Sequence, residues 1–168
     1  MNVNVREKDL ASTTRGIVRG GETLKEHRDR LMEATKRTKH YAGLETMELR
    51  DSQPILYNKL FSRLRAGVVD ARETAKKIAA SPIVEQEGEL CFTLYNAAGD
   101  SILTSTGIII HVGTMGAAIK YMIENGWESN PGVRDKDIFC NNDCLIGNVH
   151  PCDIHTIVPI FWEGELIG

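Results

Sequence analysis

Side chains able to do chemistry crowd into one stretch of this 168-residue chain: Cys140-Asn-Asn-Asp143-Cys144-Leu-Ile-Gly147-Asn-Val-His150-Pro-Cys152-Asp153-Ile-His155. Three cysteines, two histidines and two aspartates fall within sixteen residues. Gly147 and Pro151 argue against a helix, so the stretch reads as a loop leading into a strand at Thr156. A loop backbone can curl so that His150 and Asp153 point at one spot. Imidazole plus carboxylate is a borderline-to-hard donor set, suited to manganese, iron or zinc with coordination positions left open for substrate. Once the strand has begun, Asp153 and His155, two residues apart, share a face.

Two other readings of the same residues stay open. Cys140, Cys144 and Cys152 with one histidine could close a tetrahedral zinc site, although their spacing is not the usual Cys-x2-Cys kind. Alternatively the thiols pack as small apolar groups, Asp143 and Asp153 cap turns, and the histidines are merely hydrogen-bonded. His111, among isoleucines and before Gly113-Thr114, is a core histidine or part of a pocket wall. His27 and His40 lie among charges. No Gly-x-Gly-x-x-Gly after a strand and no Gly-x4-Gly-Lys-Ser/Thr loop occurs, so no nucleotide-binding motif is visible.

The elements that must position these groups are legible from periodicity and caps. The first twenty residues lack either period and read as an arm. Thr23-Leu24-Lys25-Glu26 fits a capping box opening a helix to about Lys36. Its apolar stripe (Leu24, Leu31, Met32, Ala34) is thin, so the helix is expected on the surface of something larger or docked to another chain. After a possible Ser52 cap, Pro54 opens a second helix. Leu56, Leu60, Phe61, Leu64, Val68, Ala71, Ala75 and Ile78 recur at three- and four-residue steps, which predicts a long core helix ending before Ser81-Pro82. Its cations, Arg63, Arg65, Arg72, Lys76 and Lys77, are expected mostly on the wet side. Then the period becomes two: Leu90, Phe92 and Leu94 alternate with Cys91, Thr93 and Tyr95, a strand buried on at least one face. A turn at residues 96–100, with Gly99 at positive φ, returns the chain through residues 102–106. Residues 108–112 read as a buried strand or extended loop, and Thr114 as the cap of a short helix stopped by Gly126. Residues 135–140 read as a strand, and 156–167 as a tight hairpin about Glu163-Gly164. The hairpin's outgoing strand is far longer than its return, which leaves residues 156–159 without an obvious partner. The 168 residues are therefore expected to be a piece of a longer polypeptide, cleaved or truncated. The fold class is α+β: long amphipathic helices first, then a mixed or antiparallel sheet with hairpins. Residues 1–50 form an arm and docking helix, and 51–168 the first part of an α+β domain incomplete at its C-terminus.

Composition bounds the classes. Apolar residues make up 42% and charged residues 26%, ordinary for one globular domain and against wholesale disorder. No apolar run approaches the ~20 residues of a membrane helix, and the N-terminus lacks the apolar stretch of a secretory signal. Clustered rather than evenly spread cysteines suit reduced thiols, so a cytoplasmic location is expected, without a membrane. Charge is uneven: residues 1–80 hold 17 of the 20 Lys and Arg. Those cations are interleaved with acids, so a protein-docking or solvated face is expected and not nucleic acid.

Several segments, in order, resemble the hydantoinase B/oxoprolinase family: Glu89-Leu-Cys-Phe-Thr-Leu-Tyr-Asn-Ala-Ala-Gly99-Asp100, His111-Val-Gly-Thr-Met115, Asn142-Asp143, Gly147-Asn-Val-His150-Pro-Cys-Asp153 and Pro159-Ile-Phe-Trp-Glu-Gly164-Glu-Leu-Ile. With Arg15-Gly-Ile-Val-Arg-Gly-Gly-Glu-Thr-Leu-Lys-Glu-His27 and the helix over 55–81, the chain is similar throughout to the alpha subunits of the acetone carboxylase subgroup. That resemblance implies an N-terminal portion of a longer alpha subunit. It also implies ATP-dependent joining of acetone, a small ketone, and bicarbonate into acetoacetate. It implies Mn2+ on the alpha subunit, ATP/Mg2+ on a hydantoinase A-like beta subunit, and a small gamma subunit completing a heterohexamer. Carried over residue by residue, His150 and Asp153 match two metal ligands, and the third is a histidine just beyond residue 168. His155 is not a family ligand, which leaves it, with His111 and Asp143, as a supporting or pocket-wall candidate. Cys144 stands where the family pattern has Pro, and Asn148 where it has a second Gly. Both departures favour the ketone-carboxylase subgroup over the alternative, ATP-dependent hydrolysis of a cyclic amide. A zinc-stapled assembly module is the non-enzymatic reading.

Overall fold

The computed structural model describes residues 16–105, 107 and 109–168. Most of the expected N-terminal arm lies outside them. Helix α1 (Leu24–Thr38) opens on the expected capping box: Thr23 Oγ1 accepts from Glu26 N, and Glu26 Oε2 accepts from Thr23 N at 2.9 Å. Two orphan amides are satisfied by this exchange. The thin stripe of α1 sends one residue, Leu24, into the core. Its cations turn toward helix α5 (Gly116–Glu124), where Glu124 pairs with Lys25 at 2.7 Å and with Arg28. Glu128 adds a clasp, accepting from Ile17 N at 3.0 Å and Leu24 N at 2.6 Å. The basic helix therefore meets acids of its own chain. At its other edge, Arg30 beside Glu22 holds that carboxyl down to about 2.

A short helix α2 (Glu48–Ser52) precedes α3 (Pro54–Ile78). Ser52 does not cap α3: its Oγ donates to Glu48 O at 2.6 Å within α2, and Gln53 is the N-cap. Helix α3 has the expected extent but is not a core helix within this chain. Ile55, Leu56, Leu60, Phe61 and Leu64 are exposed. Its buried side chain is a cation expected to face water. Arg72 Nη2 donates to Gly88 O at 2.7 Å and Nε to Leu90 O at 2.9 Å, while Nη1 pairs with Glu73. The guanidinium fork thus satisfies carbonyls of the connection between α3 and the first strand.

Among the described residues three two-stranded antiparallel sheets follow, so the α+β class holds. Strand β1 (Thr93–Tyr95) pairs with β2 (Ser101–Thr104). The turn between them is the expected one: Asn96 Oδ1 accepts from Ala98 N and Asp100 N, and Gly99 has φ 79°. β1 is shorter than its alternation suggests, and Phe92 is exposed. Residues 109–114 form helix α4 (Ile109–Thr114), not the expected strand or extended loop. Thr114 ends α4 rather than capping α5, and its hydroxyl donates back to His111 O.

Strand β3 (Phe139–Asn141) pairs with β4 (His155–Ile157), and β5 (Phe161–Trp162) with β6 (Glu165–Leu166). The long outgoing strand is thus two strands with different partners. Thr156 sits opposite Cys140, so residues 156 and 157 are not left unpaired as the sequence suggested. Pro159, which lacks an amide hydrogen, lies in the break. The hairpin turn is as expected: Glu163 and Gly164 both have positive φ, matching strand twist. Leu166 then joins Val18, Leu24, Ala97 and Ile123 in the core. Among the described residues no helix is long and apolar enough to cross a membrane.

Candidate metal centre

The connection from β3 to β4 holds its shape through side chains that stand in for a ladder. Asn141 Oδ1 accepts from Asp143 N and its Nδ2 donates to Ile146 O. Asp143 Oδ1 accepts from Leu145 N at 2.8 Å. Gly147 packs against the junction of α4 and α5. Asn148, buried, donates from Nδ2 to Asp153 O at 2.7 Å. The chain then turns over His150-Pro151-Cys152-Asp153, closed by Asp153 N donating to His150 O at 3.2 Å. Pro151 supplies the fixed φ that such a turn wants at its second position.

That turn brings the ends of its first and last side chains together. His150 Nε2 lies 3.2 Å from Asp153 Oδ2. His111, from α4 and buried, approaches the same oxygen with its Nε2 at 2.9 Å. Behind it His155, the first residue of β4, sets its Nε2 3.5 Å from His111 Nδ1, the two rings edge to face. Among the described residues His155 Nδ1, which is buried, has no hydrogen-bond partner. Burial pushes the His155 pKa down, the neighbouring His111 ring adds to this, and the Asp153 charge opposes it.

His111, Asp153 and His155 line a cavity of about 580 Å³ whose remaining wall is largely apolar, including Met115, Ile119, Met122, Trp127 and Phe139. Cys91 also lines it, its thiol pushed up by burial and touching Met115 through sulfur at 3.8 Å. His150 reaches the shared oxygen from the exposed side.

Of the residues picked out from sequence, the structure brings His150, Asp153, His111 and His155 together. It does not bring Asp143, whose carboxylate is spent inside its own turn and which is absent from the cavity wall. Cys140, Cys144 and Cys152 are free and exposed. Among the described residues no three or more His, Cys, Asp or Glu side chains are arranged to hold an ion, which removes support from a closed cysteine site. In the sequence Asn148 stands out only as a departure from the family pattern. Its role, fixing the backbone under Asp153, is one a glycine could not fill.

The hydantoinase B/oxoprolinase family profile matches residues 53–168. Over all 168 residues the chain is 88% identical to the acetone carboxylase alpha subunit of Xanthobacter autotrophicus, covering 22% of that protein. It is 30% identical over 81 residues, 48% of this chain and 11% of the relative, to the acetophenone carboxylase delta subunit of Aromatoleum aromaticum. A solved nucleotide-free structure of acetone carboxylase, from work on the mechanism of ATP-dependent acetone carboxylation, superposes with a TM-score of 0.90 at 91% identity. It covers 92% of this chain and 20% of the solved one. The chain thus spans about a fifth of the length of the acetone carboxylase chains it matches. It belongs to the hydantoinase B/oxoprolinase family.

Proposed function

We propose that this chain supplies the metal-bearing part of the alpha subunit of a cytoplasmic, ATP-dependent acetone carboxylase. The observation that carries the reading is the convergence of His150 Nε2 and Asp153 Oδ2 at 3.2 Å beside an apolar cavity. With bonds of about 2.1 Å, two ligands at right angles on one cation sit about 3 Å apart. The pair therefore fits two neighbouring positions on a divalent ion, and its hardness suits Mn2+. A third protein donor, a histidine further along the longer alpha subunit, completes the set. Such an ion supplies Lewis acidity toward an oxygen on which negative charge develops.

The reaction joins acetone and bicarbonate into acetoacetate and water. A methyl C–H bond breaks, a C–C bond forms to the bicarbonate carbon, and one oxygen of bicarbonate leaves. ATP, bound with Mg2+ on a hydantoinase A-like beta subunit, makes that departure favourable, and a small gamma subunit completes a heterohexamer. The residues of this chain divide the remaining work. Asp153 and His150 hold charge at the cavity edge, Asn148 fixes the backbone beneath Asp153, and the apolar wall admits a small ketone while keeping water away from reactive intermediates.

The test is turnover by the intact enzyme. Acetone, bicarbonate and ATP are expected to give acetoacetate with ATP consumed, and hydantoin or 5-oxoproline with ATP to give no ring-opened product. Ring opening without acetoacetate would instead assign the cyclic-amide hydrolase activity.

A further inference from the structure

We propose that His111 is a positioning residue for the Asp153 carboxylate. It holds Oδ2 through an Nε2–H bond and so fixes the direction from which Asp153 meets the cation. This rests on the proposal that His150 and Asp153 hold that ion. The geometry assigns the proton positions. A carboxylate only accepts, so the 2.9 Å contact between His111 Nε2 and Asp153 Oδ2 requires the hydrogen on Nε2. In the neutral ring His111 Nδ1 is then a bare acceptor, and the atom facing it, His155 Nε2 at 3.5 Å, must be the donor. His155 Nδ1 is left without a hydrogen, which matches its being buried with no partner among the described residues. One carboxylate thus sets the tautomers of two histidines in sequence, and both rings are held within the fold, at 7% and 8% exposure.

The arrangement leaves Asp153 free to ligate. A carboxylate offers about four lone-pair directions, and the bond to His111 uses one. What the bond removes is rotation of the carboxylate about its terminal torsion, which is otherwise broad. Asp153 is held at both ends: Asn148 grips its carbonyl and His111 its Oδ2. Among the described residues His150 has no such support, and it is half exposed, so Asp153 is the ordered half of the pair. Partners that orient a ligating group in this way change metal affinity by roughly 10–100-fold when removed.

The experiment is a titration of metal-stripped intact enzyme with Mn2+, free ion followed by its electron paramagnetic resonance signal, for wild type, D153A, H111L, H111N and H111Q. The glutamine amide reaches where Nε2 stands and keeps a donor. The asparagine amide matches Nδ1 and falls short of Asp153. H111L and H111N are expected to raise the Kd for Mn2+ about 10–100-fold, and H111Q to stay within about 3-fold of wild type (RT ln 3 is about 0.65 kcal/mol). H111N carries the test if H111L does not assemble. Wild-type affinity in H111N, or a loss in H111Q as large as in H111L, overturns the positioning role; the latter would mean that the ring itself is needed. If D153A alone loses Mn2+, the metal assignment stands and only the role of His111 falls. If D153A binds Mn2+ as wild type does, the metal assignment fails and takes this inference with it.

Discussion

Intact enzyme carrying Asp153→Ala is expected to purify with background manganese and to make no detectable acetoacetate, while its subunits still assemble. Removing a group that merely orients a ligand costs about 10–100-fold in metal affinity, so removing the ligand itself costs more than about 100-fold. Assembly survives because Asp153 is not a core residue: its side chain is 35% exposed. The local penalty is the stranded His111 Nε2–H, an unpaired buried donor costing about 1–3 kcal/mol. Asp153→Asn separates the two effects. Its amide oxygen still accepts from His111 and spares stability, but without the charge it holds the cation poorly. Metal analysis, acetoacetate formation and size-exclusion profiles of both variants provide the check, and normal manganese with normal turnover in Asp153→Ala would reject the site.

The second large effect is expected from Gly147→Ala, which adds one carbon where there is no room. Gly147 has φ 79°, a conformation that costs an L-residue about 1–2 kcal/mol. A Cβ there would lie 2.6 Å from Thr114 O and 3.0 Å from both Ala117 Cβ and Ala118 N. These atoms are backbone at the end of α4 and in the first turn of α5 and one short side chain there, so none can swing aside. Overpacking of this kind adds about 1–3 kcal/mol. The total, about 2–5 kcal/mol, falls on the contact that seats the loop carrying His150 and Asp153 against α5 and the end of α4, the helix carrying His111. A lower denaturation midpoint is expected together with weaker Mn2+ binding. A stability change under about 0.5 kcal/mol would show that the loop does not pack as described.

Much of the scaffold was legible because the signals are local. The Thr23–Glu26 capping box, the Asn96 turn with Gly99 and the Glu163-Gly164 hairpin turn each depend on residues within four positions of one another. The convergence of His150 and Asp153 was readable for the same reason. Where the reading failed, a distant partner decided. Isoleucine-rich residues 108–112 favour strand by propensity, yet 109–114 coil into α4, since propensity is a weak prior against tertiary packing. Arg72 lies on a helix whose charges mostly face water, but its donors serve carbonyls 16 and 18 residues on, which no periodicity encodes. Residues 156 and 157 looked unpaired because their partner, β3, lies across the loop of residues 142–154. Nor does spacing reveal that His111 and His155, 44 residues apart, meet.

In the proposed metal centre His150 and Asp153 share one divalent cation. Anomalous diffraction from crystals of the intact enzyme, collected on either side of the manganese absorption edge, tests it most directly. A single manganese peak is expected about 2 Å from His150 Nε2 and from an Asp153 carboxylate oxygen. A map with no peak between them, and the two side chains turned to separate partners, would contradict it.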